Sequence, residues 1–381
     1  MNISAENMCW VNETFKKVDA KLSKVAERSR NKIPYTVIDG VHDNMMDKDP
    51  SWWTNGFWAG MMWLMYEATK NERYKLTAEN AEIMMDKAFE YFDRLHHDVG
   101  FMWLLMSGAS YRLTGNKKSR TRNLYAAAIL ASRFDIAGGF IRAWPNWGSE
   151  DHTGWSIIDC MMNIPLLYWA TKETGELRYA KVAMAHADMT LRDHIRYDGS
   201  VRHIVKHNPD TGEYICAYGG QGYNAESTWS RGQAWAIYGM ILSYIHTEKQ
   251  EYLDAAVQTA NYFIANCAVT DYVPVVDFRS PAEPMYYDTT AGVCAACGLL
   301  EIAKYVSERE GKMYSDAAIK ILRAIDEKFC DYNENTDCLV LMGTERYPLK
   351  NQIGLHIPII YGDFFFVEAM LKLKDSKFLI W

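Results

Sequence analysis

No stretch of the sequence stays apolar long enough to cross a bilayer. The opening segment, MNISAENMCWVNETFKKVDAKLSKVAERSR, has no apolar centre of the kind an export signal needs. Both absences point to a cytoplasmic protein without membrane partners. A basic surplus is missing too: 41 Lys and Arg stand against 48 Asp and Glu, a net charge of −7. General nucleic-acid affinity wants a basic face, so it is excluded, and an anionic small substrate needs a local basic pocket to offset the overall field. The eight cysteines (Cys9, Cys160, Cys216, Cys267, Cys294, Cys297, Cys330 and Cys338) show no disulfide-framework rhythm, which reads as free thiols in a reducing compartment. CAAC, at 294–297, is the one close pair; it sits in a small-residue helical run with no second pair to complete a zinc site.

What is present is apolar material in quantity. Of 381 residues, 49% are hydrophobic and 23% charged, so a sizeable core is available and global disorder is excluded. Five segments are variants of one phrase, starting at Tyr66 (YEATKNERYK), Tyr111 (YRLTGNKKS), Tyr168 (YWATKETGELRY), Tyr244 (YIHTEKQEY) and Tyr305 (YVSEREGKMY). In each, a helix ends on tyrosine, a short polar turn follows, and an Ala-rich helix begins, usually after a second tyrosine. The unit is a helical hairpin, and stacked hairpins bury their apolar faces on one another. The spacing is too irregular for a tetratricopeptide-like solenoid. Helices are expected near 5–29, 55–71, 74–93, 99–114, 118–133, 155–174, 177–193, 228–246, 250–266, 289–308, 312–328 and 361–375. Five junctions account for ten of them, and the first and last helices pair to close a ring. The expected architecture is an all-α (α/α)6 barrel, six helical hairpins in a toroid, as a single domain over 1–381. YVPVVDF (272–278) and VRHIV (201–205) read as short edge strands.

In such a toroid the loops leading into the six inner helices share one side. They read PSWWTNGFWAG (50–60), HHDVGFMW (96–103), DHTGWSIIDC (151–160), AESTWSRGQAW (225–235), MYYDTTAG (285–292) and IIYGDFFF (359–366), with RAWPNWGSED (142–151) and GGQGYNAEST (219–228) beside them. Aromatics, amides and carboxylates crowd here, while the opposite turns are plain Lys, Glu and Thr. One face is being used, and its vocabulary is that of sugar binding: rings stack on C–H surfaces while amides and acids bond hydroxyls.

Two acids stand out, Asp98 and Asp159. A helix start favours an ionised carboxylate, whereas an apolar wall raises its pKa toward a proton donor's value. In GWSIIDCMMNIPLLYWA (154–170) Asp159 is set among Ile158, Cys160, Met161 and Met162, which makes it the better candidate for a raised pKa. Pro165 is disfavoured inside a helix, so the regular helix is expected to start there, with Asn163 near its cap and Asp159 at the cavity end. His96 and His97 beside Asp98 have the look of a metal triad, but adjacent residues diverge on a helix and no metal is expected. Arg231, one turn before Trp235, is either a surface charge or the cation that neutralises an acidic substrate.

Together HHDVGFMW, GWSIIDCMMNIPLLYWA, GQGYNAESTWSRGQAWAIYG and YGDFFFVEA closely resemble the unsaturated glucuronyl hydrolases, glycoside hydrolase family 88, from about residue 50 to the C-terminus. The resemblance implies an (α/α)6 barrel that removes a 4,5-unsaturated uronic acid from the non-reducing end of lyase-generated oligosaccharides, with glycosaminoglycan-type disaccharides favoured. It implies hydration of the C4=C5 vinyl ether rather than the ordinary two-carboxylate glycosidase scheme. By the same resemblance, Asp159 is the general acid/base and Asp98 the second essential aspartate, a binder of ring hydroxyls. His203 and Gln221 flank the reacting carbons. Trp144, Trp229, Arg231 and Trp235 hold the sugar or its acidic end, with His97 and Trp52 adjoining. No cofactor is implied, and the expected state is a monomer or weak homo-oligomer. The stretch RYPLKNQIGLHIPIIYG departs from the small, Gly/Ser-rich form of the family, which leaves the aglycone open. Alternatives on the same toroid are an unsaturated rhamnogalacturonyl hydrolase and a non-catalytic sugar-binding protein; an epimerase would ask for a pair of well-placed histidines.

Overall fold

The computed structural model describes residues 3–147, 149–349 and 351–381. Among these residues the helical periodicity resolves into twelve long helices. They are α1 (Ala5–Arg28), α2 (Phe57–Thr69), α3 (Glu72–Met84), α4 (Val99–Trp103, continued through a π-turn at Leu104–Gly108 into Ala109–Thr114), α5 (Lys117–Ser132) and α6 (Pro165–Thr174), then α7 (Leu177–Asp193), α8 (Ser230–Thr247), α9 (Gln250–Ala268), α10 (Thr289–Ile302), α11 (Glu308–Phe329) and α12 (Ile360–Leu373).

The even-numbered helices form an inner ring and the odd-numbered ones an outer ring. Their sequences explain the sorting. Every residue of α10 and α12 is buried, as is α8 from Ser230 to Ser243, and a helix that is apolar all round must be enclosed on all sides. The outer helices carry one stripe: α1 buries Val11, Val18, Leu22 and Val25 and leaves its charges outside except Lys21, which is buried and donates to the Asp331 carbonyl. Helix α12 packs between α10 and α2, and α1 lies on α12, α3 and α11, so the chain ends close the ring.

The repeated phrase has a physical meaning at each junction. Thr69, Thr114, Thr174 and Thr247 donate their hydroxyls to the carbonyl four residues back at 2.7 Å. The same oxygens accept from the backbone N–H two residues on, at 3.1–3.3 Å. Between these residues lies a single left-handed position: Lys70, Gly115, Gly175 or Glu248. The threonine thus closes one helix and opens the next. The second tyrosine of three repeats laces the outer ring: Tyr74 donates to Asp19 on α1, Tyr252 to Asp188 on α7, and Tyr314 to Asn261 on α9.

The range 155–174 is corrected at its start: as Pro165 suggested, α6 begins there, and before it come strand β1 (Trp155–Ile157) and a 3-10 turn over Ile158–Met162. β1 pairs antiparallel with β2 (Ile204–His207), and β2 with β3 (Tyr214–Tyr218). VRHIV therefore contributes only its end to a strand, β3 was not foreseen, and YVPVVDF makes only isolated bridges, Trp229–Asp277 and Val275–Tyr287. Among the described residues no helix is long and apolar enough to cross a membrane.

Candidate active site

The starts of the inner helices and the loops that feed them enclose a cavity of about 330 Å³. Trp52, His97, Asp98, Trp144, Asp159, Gln221, Trp229 and Arg231 all line it, joined by Tyr35, Trp53, His96, Trp147, Glu345, Arg346 and Tyr361.

Asp159 is not in the core at all. The 3-10 turn buries Ile158, Cys160, Met161 and Met162 and turns Asp159 alone outward, 13% exposed at its side chain. Asn163, fully buried, ties the Asp98 carboxyl to the backbone of Asp159. Its Nδ2 donates to Asp98 Oδ1 and to the Asp159 backbone carbonyl, both at 3.1 Å, while its Oδ1 accepts from Phe101 N–H at 2.7 Å. Glycine is required at position 100, because a Cβ there would lie 2.6 Å from the Asn163 backbone.

His96, His97 and Asp98 precede α4 rather than lying on it, so they do not diverge as the sequence suggested. His97 Nε2 lies 3.2 Å from Asp98 Oδ1 and His96 Nδ1 3.5 Å from Oδ2, and one ligand atom from each residue falls within a 4.8 Å cluster. That set could reach a single small cation, and the same spacing lets Asp98 share a proton with an imidazole. Burial drives both imidazoles down to about 3, so they are neutral. His97 Nδ1–H donates to Ala143 O at 2.6 Å, which leaves Nε2 as a bare lone pair facing Asp98. Burial, then the charge of Asp159, pushes the Asp98 carboxyl well above the usual range.

His203 stands behind Asp159. Its ring packs on Trp229 with centroids 4.4 Å apart, and Nδ1 accepts from Gln221 N–H at 3.0 Å. Gly219 O is equally near Nδ1. The amide proton of Gln221 is fixed, however, so Nδ1 is the acceptor, and Nε2–H faces Asp159 Oδ2 at 3.5 Å. Asp159 Oδ2, His203 Nε2, His97 Nε2 and the indole nitrogens of Trp52 and Trp229 have no hydrogen-bond partner within the described residues. A polyhydroxylated ligand supplies what they lack.

Two residues are placed otherwise than the sequence suggested. Trp235 is fully buried behind the cavity wall, against Phe101, Tyr361 and Phe365. Arg231 is neither a surface charge nor a free cation: its Nη1 lies 2.5 Å from Asp288 Oδ2, and it donates to the carbonyls of Thr344 and Glu345. The unmatched cation at the cavity is Arg346, exposed and without an ion pair among the described residues. Sequence reasoning missed it because it lies in the stretch that departs from the family's form. Tyr35 was missed as well; its hydroxyl donates to the Glu345 carboxylate.

Residues 23–267 match the sequence profile of Glycosyl Hydrolase Family 88. The chain belongs to this family. Family 88 relatives align along nearly its whole length. It is 34% identical to an unsaturated glucuronyl hydrolase of Bacillus sp. (strain GL1), over 91% of this chain and 92% of the relative. It is 32% identical to an unsaturated chondroitin disaccharide hydrolase of Streptococcus pneumoniae, over 90% and 86%. The fold matches the crystal structure of the Bacillus sp. GL1 hydrolase with a TM-score of 0.87, at 30% identity over 96% of this chain and 97% of that one. Family membership makes the chain a glycoside hydrolase on an (α/α)6 barrel.

The raised Asp98 carboxyl carries a stability signature. It holds a proton to higher pH in the folded state than in the unfolded chain. Its contribution is therefore complete in acid and lost as pH rises through the raised value. Asp98→Asn, which cannot ionise, is expected to melt higher than the native protein at neutral pH, with the gap closing below about pH 4. Melting curves across pH check this; a loss of stability at neutral pH would mean that Asp98 is comfortably charged in the fold.

Proposed function

We propose that this chain removes the 4,5-unsaturated uronic acid from the non-reducing end of lyase-generated oligosaccharides, glycosaminoglycan-type disaccharides foremost, by hydrating the C4=C5 double bond. The observation that carries the reading is the pair of carboxyls held in one cavity through Asn163 with opposite surroundings. Asp98 is flanked by Asn163, His96 and His97; in its protonated form it donates to a ring hydroxyl. Asp159 has an unpartnered oxygen and a single adjustable neighbour, His203 Nε2–H. It is the carboxyl able to give a proton to C4 and take one from the water that adds at C5. The resulting hemiketal opens, and the aglycone leaves from C1 as an alcohol. Trp144 and Trp147, 5.7 Å apart between ring centroids, offer faces for the sugar, and Arg346 offers charge for an acidic group. The names borne by the Bacillus and pneumococcal relatives support the substrate class.

The test is the ultraviolet absorbance of unsaturated chondroitin disaccharides, unsulfated and 6-sulfated, on adding protein. Loss of the conjugated signal is expected, and the ratio of the two rates reads how Glu345 and Arg346 treat the aglycone. Silence on these and on heparin-, gellan- and pectin-derived substrates would overturn the reading.

A further inference from the structure

A second cavity, of about 350 Å³, shares a wall with the first: Leu95 lines it where the neighbouring His96 lines the catalytic one, and Arg142 does so two residues from Trp144. Two arginines dominate it. Arg133 Nε donates to the Arg142 carbonyl at 3.1 Å, and Arg142 Nη2 donates to Asn146 Oδ1 at 3.3 Å. Arg133 Nη2 and Arg142 Nε are buried and have no partner, and among the described residues neither guanidinium has an ion pair. Burial and the like charge of Arg142 bring Arg133 down to about 10, which shows how poorly the pair is compensated. Around them stand the Phe92 ring, 63% exposed, and the carboxylates of Asp93 and Asp135.

A bare inorganic anion would use the arginines alone and be repelled by the aspartates. A sugar acid uses all of it: the planar fork of a guanidinium matches a carboxylate, carboxylates accept from sugar hydroxyls, and an aromatic face stacks on the ring's C–H surface. We infer that this cavity is a second carbohydrate site, which takes a uronate residue of an acidic oligosaccharide on Arg133, Arg142 and Phe92. The catalytic cavity would then work on chain ends while its neighbour grips an internal uronate of a longer chain.

The probe is a saturated glucuronate-containing hexasaccharide, which has no double bond to be consumed, with binding followed by calorimetry. Arg142→Gln is expected to weaken binding about tenfold, the loss of one charge-assisted contact. Phe92→Ala, at a solvent-exposed ring whose removal leaves the fold intact, weakens it as well. In both variants kcat/KM on an unsaturated disaccharide stays within about twofold of native, a contact of this kind being absent from the short substrate. The proposal is overturned if the hexasaccharide does not bind, if its affinity is unchanged in both variants, or if disaccharide turnover falls in parallel. Inorganic sulfate binding as tightly as the hexasaccharide would overturn it too, by reducing the site to a bare anion pocket. The hexasaccharide and sulfate outcomes do not depend on whether the disaccharide is consumed; only the turnover comparison rests on that reading.

Discussion

Asp159→Asn is expected to lower kcat on an unsaturated disaccharide by about 10³-fold, the middle of the range for losing a positioned acid–base group, with KM little changed. The side-chain shape is kept and the backbone carbonyl still accepts from Asn163, so the turn over Ile158–Met162 has no reason to move. What disappears is the exchangeable proton. One of the two causes that raise Asp98 disappears with it, so the remaining carboxyl ionises more easily in the variant. The combination is diagnostic: a folded protein with native affinity, a kcat lowered by about 10³-fold, and a shifted titration at its neighbour. Near-native turnover would mean that Asp159 is not the proton carrier and would pass that role to Asp98. His203→Gln should act more mildly, because His203 touches Asp159 only through a 3.5 Å contact and works by orienting it.

Much of the toroid was legible because its signals are local. All twelve expected helices are present, although α3, α6 and α10 are shorter than expected, since apolar periodicity and the polar turns are written within a few residues. The junction phrase was legible too, although its tyrosines caught the eye while the threonine in four of the five copies makes the turn. Asp159 was conspicuous for a sound reason, a carboxylate in apolar company. Its apolar neighbours do not enclose it, because Pro165 delays the helix and the preceding 3-10 turn points the side chain toward the cavity. Burial fell on Asp98 instead, through contacts with Asn163, His96 and His97 that combine sequence neighbours with a residue more than sixty positions away. The roles of Arg231 and Arg346 were out of reach for the same reason. Whether an arginine is free depends on partners such as Asp288 and Thr344, and nothing near SRGQAW in the chain announces them.

Arg231→Ala is expected to cost about 3–5 kcal/mol of stability, the penalty for leaving one member of a buried ion pair uncompensated. Arg231 and Asp288 are 1% and 0% exposed and 2.5 Å apart, so removing the guanidinium strands a carboxylate in the core. Asp288 keeps its bonds from Thr290 N–H, Thr290 Oγ1 and Thr344 N–H, but these are dipoles and leave the charge unmatched. A second loss runs toward the cavity. Arg231 donates to the carbonyls of Thr344 and Glu345, and its guanidinium lies over Trp229 at 4.5 Å and Tyr361 at 5.2 Å, so it pins the segment carrying Glu345 and Arg346 against the aromatic wall. The stability loss and the binding loss separate in the double variant. Adding Asp288→Asn removes the stranded charge and should restore most of the stability, while KM stays raised because the Thr344–Glu345 carbonyls still lack their donor. Urea unfolding of the single and double variants reads the first effect, and disaccharide kinetics reads the second. A cost below about 1 kcal/mol would place the pair among weakly contributing ion pairs. Recovery of KM along with stability would mean that the arginine serves the fold alone. Arg231→Lys discriminates further: an ammonium can satisfy Asp288 but cannot fork to two carbonyls at once, so it should recover stability before it recovers binding.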